Sequence, residues 1–295
     1  MLAKCTDTHQ LVIGTAQFGQ KYGVGNCGDR VSIETAAQII AFAGQAGIDT
    51  VDTAISYGDS ERRLGEIGMQ GYKVISKLPP FPVGHKSVSK WVYNTVNASL
   101  TSLQINKLSA ILLHRPSDLL DSTGPELYES LQKLKQGGVV DKIGLSVYDK
   151  VELENLVPLY PVDVVQAPVN ILDRRLTSSG WMTRLRESGI ELHARSVFLQ
   201  GALLMPPNIR PRQFLKWSSL WNNWDQWLQA AQLTALEVCL SYTRSLSQVT
   251  KIVVGIDSLE QLRSVISSMQ NPITDWPDAI FCSDENLIDP RNWSK

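Results

Sequence analysis

Four polar side chains of this sequence fall at or near the ends of three successive apolar segments, where they could act together. Asp52 ends the segment GIDTVD, Tyr57 follows five residues later, Lys77 ends VISK, and His114 ends LSAILLH. A phenol has an ordinary pKa of about 10, and a neighbouring ammonium group lowers that pKa because it favours the phenolate. Lys77 could supply the ammonium group, and Asp52 could keep it charged and oriented.

This combination of groups is suited to polarising an aldehyde or a ketone. Tyr57 could hydrogen-bond the carbonyl oxygen and give it a proton as negative charge develops there, while His114 donates a second hydrogen bond. The sequence shows no serine or cysteine nucleophile placed beside a base and no cluster of metal ligands, which argues against a hydrolase and a metal site. The carbonyl carbon must then be attacked by an external donor, and hydride from a nicotinamide fits.

The scaffold must bring the ends of successive strands to one place. Eight short apolar runs, typical of strands buried on both faces, alternate with longer segments of helical period. The runs cover 11–14, 48–52, 73–77, 108–114, 142–146, 162–166, 190–196 and 251–255, and the helical segments cover 32–47, 60–69, 87–104, 124–138, 149–156, 178–188, 227–245 and 258–269. This alternation predicts an α/β fold, a (β/α)8 TIM barrel that forms a single domain over residues 1–295, with its active site at the carboxyl ends of the strands.

A doubly wound sheet is the alternative architecture. It normally carries the pattern G-x-G-x-x-G directly after its first strand. Here the first strand is followed by GTAQFGQKYGVGNCG, which is glycine-rich but runs too long before the first helix. The sequence therefore favours the barrel.

Residues 205–227 differ in composition from the rest of the chain. They follow the seventh predicted strand and hold four of the eight tryptophans, Trp217, Trp221, Trp224 and Trp227. The spacing of three or four residues predicts one face of a helix. That face either packs onto the barrel or covers the substrate pocket, since loops after the strands lie at the catalytic end.

Composition excludes several classes of protein. The chain has 295 residues, 43% of them hydrophobic, with 28 basic and 29 acidic residues, so no overall charge favours nucleic acid or an anionic membrane. No apolar run approaches the roughly 18 residues of a membrane span, and the start of the chain lacks the pattern of a signal peptide. The four cysteines, Cys5, Cys27, Cys239 and Cys282, are dispersed and indicate free thiols. We therefore expect a cytoplasmic protein that acts on a small molecule, as a monomer or weak homo-oligomer.

The ordered segments of the chain resemble the aldo-keto reductase family. The resemblance is carried by GTAQFG, GIDTVDTAISYGDSERRLG, VISK, LLHRP, IGLSVYD, VVQAPVN, ARSVFLQGALL and VVGIDSLEQL, which occur in the family's order over about residues 11–269. It implies a (β/α)8 barrel, NADPH-dependent reduction of a carbonyl substrate, and a catalytic tetrad at Asp52, Tyr57, Lys77 and His114. The segments GTAQFGQKYG and RSVFLQGALL are most similar to a bacterial branch associated with sugar metabolism, which implies a sugar or keto-sugar substrate.

The same resemblance implies a set of cofactor contacts spread over most of the strands. The positions that match are Gly14, Thr15, Gln17, Asp52, Ser146 and Gln166 on the nicotinamide side, Arg195, Ser196, Phe198, Gln200 and Gly201 after strand seven, and Gly255, Asp257 and Gln261 after strand eight.

Three positions depart from the family's pattern. Val147 replaces an asparagine that often holds the carboxamide, and Arg195 replaces an aromatic ring that stacks on the nicotinamide, although a guanidinium plane can also stack on a ring. Arg195 could instead pair with a carboxylate. Phosphate recognition usually uses arginine or lysine, but only Arg263 is basic near the last strand and it is two positions out of place. The resemblance implies NADPH as the cofactor, and because basic residues are scarce at this end, dual use or NADH is the alternative.

Two rival functions use the same residues. A regulatory subunit of the same fold could sense nicotinamide redox state without useful turnover, although an intact tetrad argues against it. A barrel lyase or aldolase could use Lys77 as a Schiff base, but that requires a neutral amine, and the neighbouring Asp52 favours the charged form.

Overall fold

Eight parallel strands close into a barrel in the order of the sequence. The computed structural model describes residues 8–24, 29–270, 273, 275–277 and 279–293. The strands are β1 Leu11–Gly14, β2 Thr50–Asp52, β3 Lys73–Leu78, β4 Leu108–Leu113, β5 Val140–Ser146, β6 Val164–Pro168, β7 Glu191–Arg195 and β8 Val249–Gly255. All eight predicted strands are present with ends that differ by at most two residues, and the prediction of a (β/α)8 barrel is confirmed.

Helices follow the strands and cover the outside of the barrel. They are α1 Ala16–Gly19, α2 Ile33–Gln45, α3 Ser60–Ile67, α4 Val88–Leu103, α5 Gly124–Gln136, α6 Lys150–Leu156, α7 Arg175–Ser178, α8 Trp181–Glu187, α9 Ser218–Ala231, α10 Ala235–Ser245, α11 Leu259–Ser268 and α12 Glu285–Ile288. The serine predicted to cap α2, Ser32, does so by accepting a hydrogen bond from the backbone N–H of Thr35. Within the part of the chain that the structure describes, every helix is too short or too polar to cross a membrane.

The helix predicted over 227–245 is wrong, because the structure divides this segment between α9 and α10. The break lies at Gln232, whose backbone is left-handed with φ of 56°, and at Thr234, which begins α10. Thr234 and Glu237 form a capping box in which each side chain bonds the other residue's backbone N–H. The sequence patterns also do not predict three short helices, α1, α7 and α12.

The tryptophan-rich segment contacts the segment that follows β7 and the residues just before α12. Trp221 and Trp224 on α9 are buried, and the Trp224 Nε1–H donates to the carbonyl oxygen of Leu203 at 3.3 Å. Trp217 lies just before α9 and donates to the carboxylate of Asp284 at 3.0 Å. Burial of Trp221 and Trp224 in the hydrophobic core is what the packing alternative predicts.

A layer of paired charges lies near the amino ends of the strands. Asp49 accepts a hydrogen bond from Lys73 at 2.7 Å, and although burial raises its pKa, the bonds from Lys73 and Thr50 lower it to about 2. Glu191 contacts His193 and accepts a hydrogen bond from Lys142, and these contacts lower its pKa from 4.5 to about 2. Both carboxylates are therefore held in the charged form by the folded structure.

The two cysteines within the described residues are free thiols, as predicted. Cys239 is buried on α10 and Cys282 is half-buried near α12. Cys5 and Cys27 lie outside the described residues.

Candidate active site

The ends of β2 and β3 place a carboxylate against an ammonium group below the rim of the barrel. The Lys77 Nζ donates to Asp52 Oδ1 at 2.5 Å and to the carbonyl oxygen of Thr53 at 2.9 Å. The two side chains are only 1% and 4% exposed. The second carboxylate oxygen, Oδ2, accepts a hydrogen bond from Gln166 Nε2 at 2.7 Å. A buried ion pair is tolerated when further hydrogen bonds satisfy its remaining groups, and Asp52 is held on both oxygens.

Tyr57 lies over this ion pair on the loop that follows β2. Its ring centroid is 5.1 Å from the Lys77 Nζ. The loop is tied to β3, because the Thr53 N–H donates to Ile75 and the Ile55 N–H donates to Lys77. The phenol is thus carried on a backbone that the neighbouring strand holds in place.

Gly19, at the end of α1, makes this position of Tyr57 sterically feasible. A Cβ atom at Gly19 would lie 1.7 Å from the carbonyl oxygen of Tyr57, well inside van der Waals contact. The backbone of α1 therefore packs directly on the backbone of the loop that carries Tyr57, which only a residue without a side chain allows.

The phenol of Tyr57 has a raised pKa, and the prediction that Lys77 lowers it is wrong. Burial is the largest cause, since water no longer solvates the phenolate, and the negative charge of Asp52 adds to it, while Arg195 opposes. The short contact with Asp52 offsets the positive charge of Lys77 at the phenol. Tyr57 is consequently a neutral phenol at physiological pH, which is the form that donates a proton.

His114 follows β4 and faces the phenol. Its ring lies edge-on to the Tyr57 ring with centroids 5.8 Å apart, and its backbone N–H donates to the carbonyl oxygen of Leu78. Burial lowers the pKa of His114 to about 4, and the positive charges of Lys77 and Arg195 add to this effect. The imidazole is therefore neutral at pH 7, and its Nδ1 lies 3.0 Å from the hydroxyl oxygen of Ser56.

A cavity of about 660 Å³ starts at Asp52 and Tyr57 and extends past the loop after β7 to the end of β8. That volume is typical of a small-molecule site. Every predicted cofactor residue except Ser146 lines it: Gly14, Thr15, Gln17, Asp52, Gln166, Arg195, Ser196, Phe198, Gln200, Gly201, Gly255, Asp257 and Gln261. Ser146 is buried at the end of β5, where it pairs in register with Gln166. Lys77 and His114 lie beside the cavity rather than in its lining.

The loop after β7 lines the middle of the cavity in a backbone conformation that is rare for residues with side chains. Ser196, Leu199 and Gln200 have left-handed φ values of 56°, 46° and 55°, and Gly201 follows with 91°. Such conformations cost of order 1 kcal/mol each outside glycine and persist where the surroundings enforce them, often at ligand sites. Here the Val24 N–H donates to the carbonyl oxygen of Gln200 at 3.0 Å.

The far end of the cavity is formed by β8 and the amino end of α11. Ser258 caps α11 by accepting a hydrogen bond from the Gln261 N–H, and both residues line the cavity. A helix amino end favours anions because its N–H groups are exposed there. Gly255 leaves room for Gln17, since a Cβ atom at Gly255 would lie 2.2 Å from the Gln17 Nε2.

Arg195, at the end of β7, stacks on a protein ring. Its Cζ lies 4.3 Å from the centroid of the Tyr148 ring, and its Nη2 donates to the carbonyl oxygen of Val147 at 3.0 Å. Its Nη1 donates to Ser196 Oγ at 3.3 Å. No carboxylate among the described residues lies within ion-pair distance of this guanidinium, so the carboxylate pairing considered from the sequence does not occur there. Arg195 contributes the positive charge of the cavity lining.

The structure adds two residues that the sequence analysis did not select. Tyr22 lines the cavity, and its hydroxyl accepts a hydrogen bond from Gln200 Nε2 at 3.2 Å. Ser56 contacts the ring of His114. Both lie in segments that carried the family resemblance, GTAQFGQKYG and DTAISYG, but no local pattern indicated their partners.

Comparisons with known proteins agree on one family. The sequence matches the profile of the Aldo/keto reductase family over residues 10–276. The Aldo-keto reductase YhdN of Bacillus subtilis is 25% identical over 168 residues, which are 52% of this chain and 48% of that protein, so the match spans about half of the relative's length.

Solved structures share the fold at low identity. The holo form of an aldo-keto reductase from Bacillus halodurans superposes with a TM-score of 0.72 at 20% identity, covering 90% of this chain and 88% of that one. A glycerol dehydrogenase from Gluconobacter oxydans superposes with a TM-score of 0.70 at 19% identity, with the same coverage of 90% and 88%.

Proposed function

The chain belongs to the aldo/keto reductase family, and from this membership we propose that it reduces an aldehyde or ketone to an alcohol with NAD(P)H. The observation that carries the proposal is the buried Asp52–Lys77 ion pair beneath Tyr57, at one end of a cavity that continues to the amino end of α11. The Tyr57 phenol, a proton donor, lies at one end of this cavity, and Ser258 and Gln261 at the amino end of α11 line the other. A nicotinamide dinucleotide, when bound, supplies the hydride.

The residues along the cavity fit such a dinucleotide. Gln166 in β6 pairs in register with Ser146 at the end of β5, and their side chains would hold the carboxamide of the ring. The strained loop over residues 196–201 would hold the pyrophosphate, and the amino end of α11 would hold the adenosine. These assignments are supported by the shape and the donor groups of the cavity.

Tyr57 acts as the general acid in this proposal. Its phenol is neutral at pH 7 and would donate a hydrogen bond to the carbonyl oxygen, then the proton itself as the oxygen becomes an alkoxide. The amino group of Lys77, which donates to Asp52, would stabilise the phenolate that remains. His114 would donate the second hydrogen bond to the same oxygen, which fixes the direction of the carbonyl group.

The lining at the adenosine end favours NADH over the NADPH that the resemblance implies. In the described residues of this end, Asp257 and Glu260 line the cavity and no lysine or arginine does. Arg263 is turned outward, with its Cζ 4.4 Å from the centroid of the Phe42 ring. A 2′-phosphate would meet carboxylates instead of the guanidinium groups that usually bind it, whereas a ribose hydroxyl can donate to a carboxylate.

Features of the sequence support proposals for the substrate class, the cellular location and the oligomeric state. We propose a small carbonyl compound, a sugar or keto-sugar, as the substrate, since the segments GTAQFGQKYG and RSVFLQGALL carry that resemblance. A cytoplasmic location is supported by the free thiols of Cys239 and Cys282. The expectation of a monomer or weak homo-oligomer is tested by light scattering over a range of protein concentrations.

The test is a turnover assay that follows loss of the absorbance of the reduced nicotinamide. NADH and NADPH are compared against activated aldehydes and keto-sugars, with Tyr57→Phe and the remote surface variant Tyr93→Phe as a matched pair. We expect Tyr57→Phe to lose about 10²- to 10⁴-fold in kcat with cofactor affinity retained, because it removes only the general acid. Tyr93, exposed on α4, should tolerate the same change.

Two results would overturn parts of the proposal. Full activity in Tyr57→Phe would remove the general-acid assignment. Tight cofactor binding without turnover of any carbonyl compound, in wild type and variant alike, would favour a nicotinamide-sensing subunit.

A further inference from the structure

We propose that Ser56 is a positioning residue that sets the tautomer of His114 by donating its hydroxyl hydrogen to the ring Nδ1. The inference rests on the proposed function, because it concerns the ring that would align the carbonyl oxygen. It begins from a contact of 3.0 Å between the Ser56 Oγ and the His114 Nδ1, two residues that are 58 positions apart in the chain.

The contact is built into the strand order of the barrel. The Ile55 N–H donates to the carbonyl oxygen of Lys77, and the His114 N–H donates to the carbonyl oxygen of Leu78. Adjacent residues of β3 thus hold the loop after β2 on one side and the residue after β4 on the other. The hydroxyl and the imidazole meet because the end of β3 fixes the backbones of both.

The loop that carries Ser56 has little freedom to move away. The Tyr57 N–H donates to the carbonyl oxygen of Ala54, which closes a turn around Ser56. The backbone of the next residues packs on Gly19 of α1, where no side chain fits. Although Ser56 is exposed, its backbone position is therefore set by contacts on both sides.

A neutral imidazole carries one N–H, and its position decides what the ring can do. With the hydrogen on Nε2, the ring can donate to a carbonyl oxygen, and Nδ1 accepts from Ser56. With the hydrogen on Nδ1, the ring presents a lone pair at Nε2, which cannot bond a carbonyl oxygen. Since His114 is neutral at pH 7, the choice between these tautomers matters throughout the physiological range.

The donor hydrogen of Ser56 makes the Nε2–H tautomer the favoured one. Among the described residues, the His114 Nδ1 is the side-chain partner that the structure gives to the Ser56 hydroxyl. If Nδ1 carried the hydrogen, the hydroxyl would have to accept and its own hydrogen would lose this protein acceptor. This hydrogen bond is solvent-exposed, and loss of its protein acceptor still shifts the balance between the two tautomers measurably.

The experiment uses Ser56→Thr and Ser56→Val, which have nearly the same shape and differ in the hydroxyl. The tautomer of His114 is read at pH 7 from two-bond nitrogen–hydrogen correlation spectra of ¹⁵N-labelled protein. The chain has four histidines, and His114→Gln identifies the signals of this one. We expect the Nε2–H tautomer in wild type and Ser56→Thr, and a mixture of tautomers in Ser56→Val.

Kinetics give the second readout. Ser56→Val should lower kcat about 3- to 10-fold while the Kd of the reduced cofactor stays unchanged, and Ser56→Thr should restore kcat to near the wild-type value. A role in packing alone would not separate Thr from Val in this way.

The inference is overturned if wild-type His114 carries its hydrogen on Nδ1. It is equally overturned if Ser56→Val keeps the tautomer and the kcat of Ser56→Thr. The spectra need no substrate, so a protein that reduced no carbonyl compound would refute the proposed function while the spectra still decided the role of Ser56.

Discussion

Replacing Gly19 by alanine tests whether the packing of α1 positions the Tyr57 phenol, the general acid that we propose. A Cβ atom at this position would lie 1.7 Å from the carbonyl oxygen of Tyr57 and 2.7 Å from the backbone nitrogen of Ser60, whereas ordinary contact begins at 3.4 Å. The two backbones must therefore separate by about 1.7 Å, the difference between the first and last of these distances. The obstacle is backbone on both sides, so a change of side-chain rotamer cannot relieve it.

Two effects of known size follow from that separation. Overpacking of a buried site costs about 1–3 kcal/mol, which corresponds to a fall in Tm of roughly 2–10 °C for a protein of this size. A misplacement of about 1 Å at a reacting group costs on the order of 10²-fold in rate. We therefore expect Gly19→Ala to lower kcat about 100-fold or more, with a smaller change in cofactor affinity because Gly19 does not line the cavity.

The assay combines kcat for a carbonyl substrate, the Kd of the reduced cofactor from its fluorescence, and Tm. Gly137→Ala is the matched control, because a Cβ atom there would come no closer than 3.2 Å to its nearest neighbour and the site is remote, at the end of α5. A Gly19→Ala variant with wild-type kcat and Tm would refute the claim that packing of α1 positions the Tyr57 phenol. The loop that carries Tyr57 would then tolerate the displacement. Loss of cofactor binding together with kcat would show that the damage spreads beyond Tyr57.

Three further predictions concern the charges of the protein. Lys77→Met leaves the buried carboxylate of Asp52 without its ammonium partner. We expect the free energy of unfolding, measured with urea, to fall by about 3–5 kcal/mol, and kcat, measured by turnover, to fall at least about 100-fold. A stable, active variant would contradict this expectation. Folding lowers the pKa values of Asp49 and Glu191 from 3.8 and 4.5 to about 2, so the stability that they add is complete above about pH 4.5 and is lost as the pH falls towards 2. Urea unfolding at pH 5 and pH 3 should show that loss in wild type and less of it in Asp49→Asn/Glu191→Gln, and an equal loss in both would refute the assignment. Gln261→Arg should lower the Kd of NADPH at least about tenfold and leave the Kd of NADH nearly unchanged. An unchanged Kd of NADPH would show that its 2′-phosphate does not bind near residue 261.

Much of the fold could be read from local patterns. Both faces of a parallel barrel strand are buried, so consecutive residues of the strand are apolar. A short apolar run therefore predicts such a strand. The break between α9 and α10 was missed, although the residues Thr234 and Glu237 carry the spacing of a capping box.

Only part of the candidate site can be predicted from sequence patterns. Asp52, Lys77 and His114 could be placed at one rim since the carboxyl ends of parallel strands meet there. The sign of the Tyr57 pKa shift could not be read, because it depends on how far the loop buries the phenol and how closely Asp52 neutralises Lys77. Burial and distance between elements have no local sequence pattern.

The sequence by itself determined the order of strands and helices and the polar residues that end the strands, because these follow from the identity and spacing of neighbouring residues. The tertiary structure alone decided which of those residues touch. Gln166 bonds Asp52 across 114 positions, Ser56 meets His114 across 58, and Arg195 stacks on Tyr148 instead of pairing with a carboxylate. These contacts arise from barrel closure, which brings distant strand ends within hydrogen-bond distance and removes the water that would otherwise screen their charges.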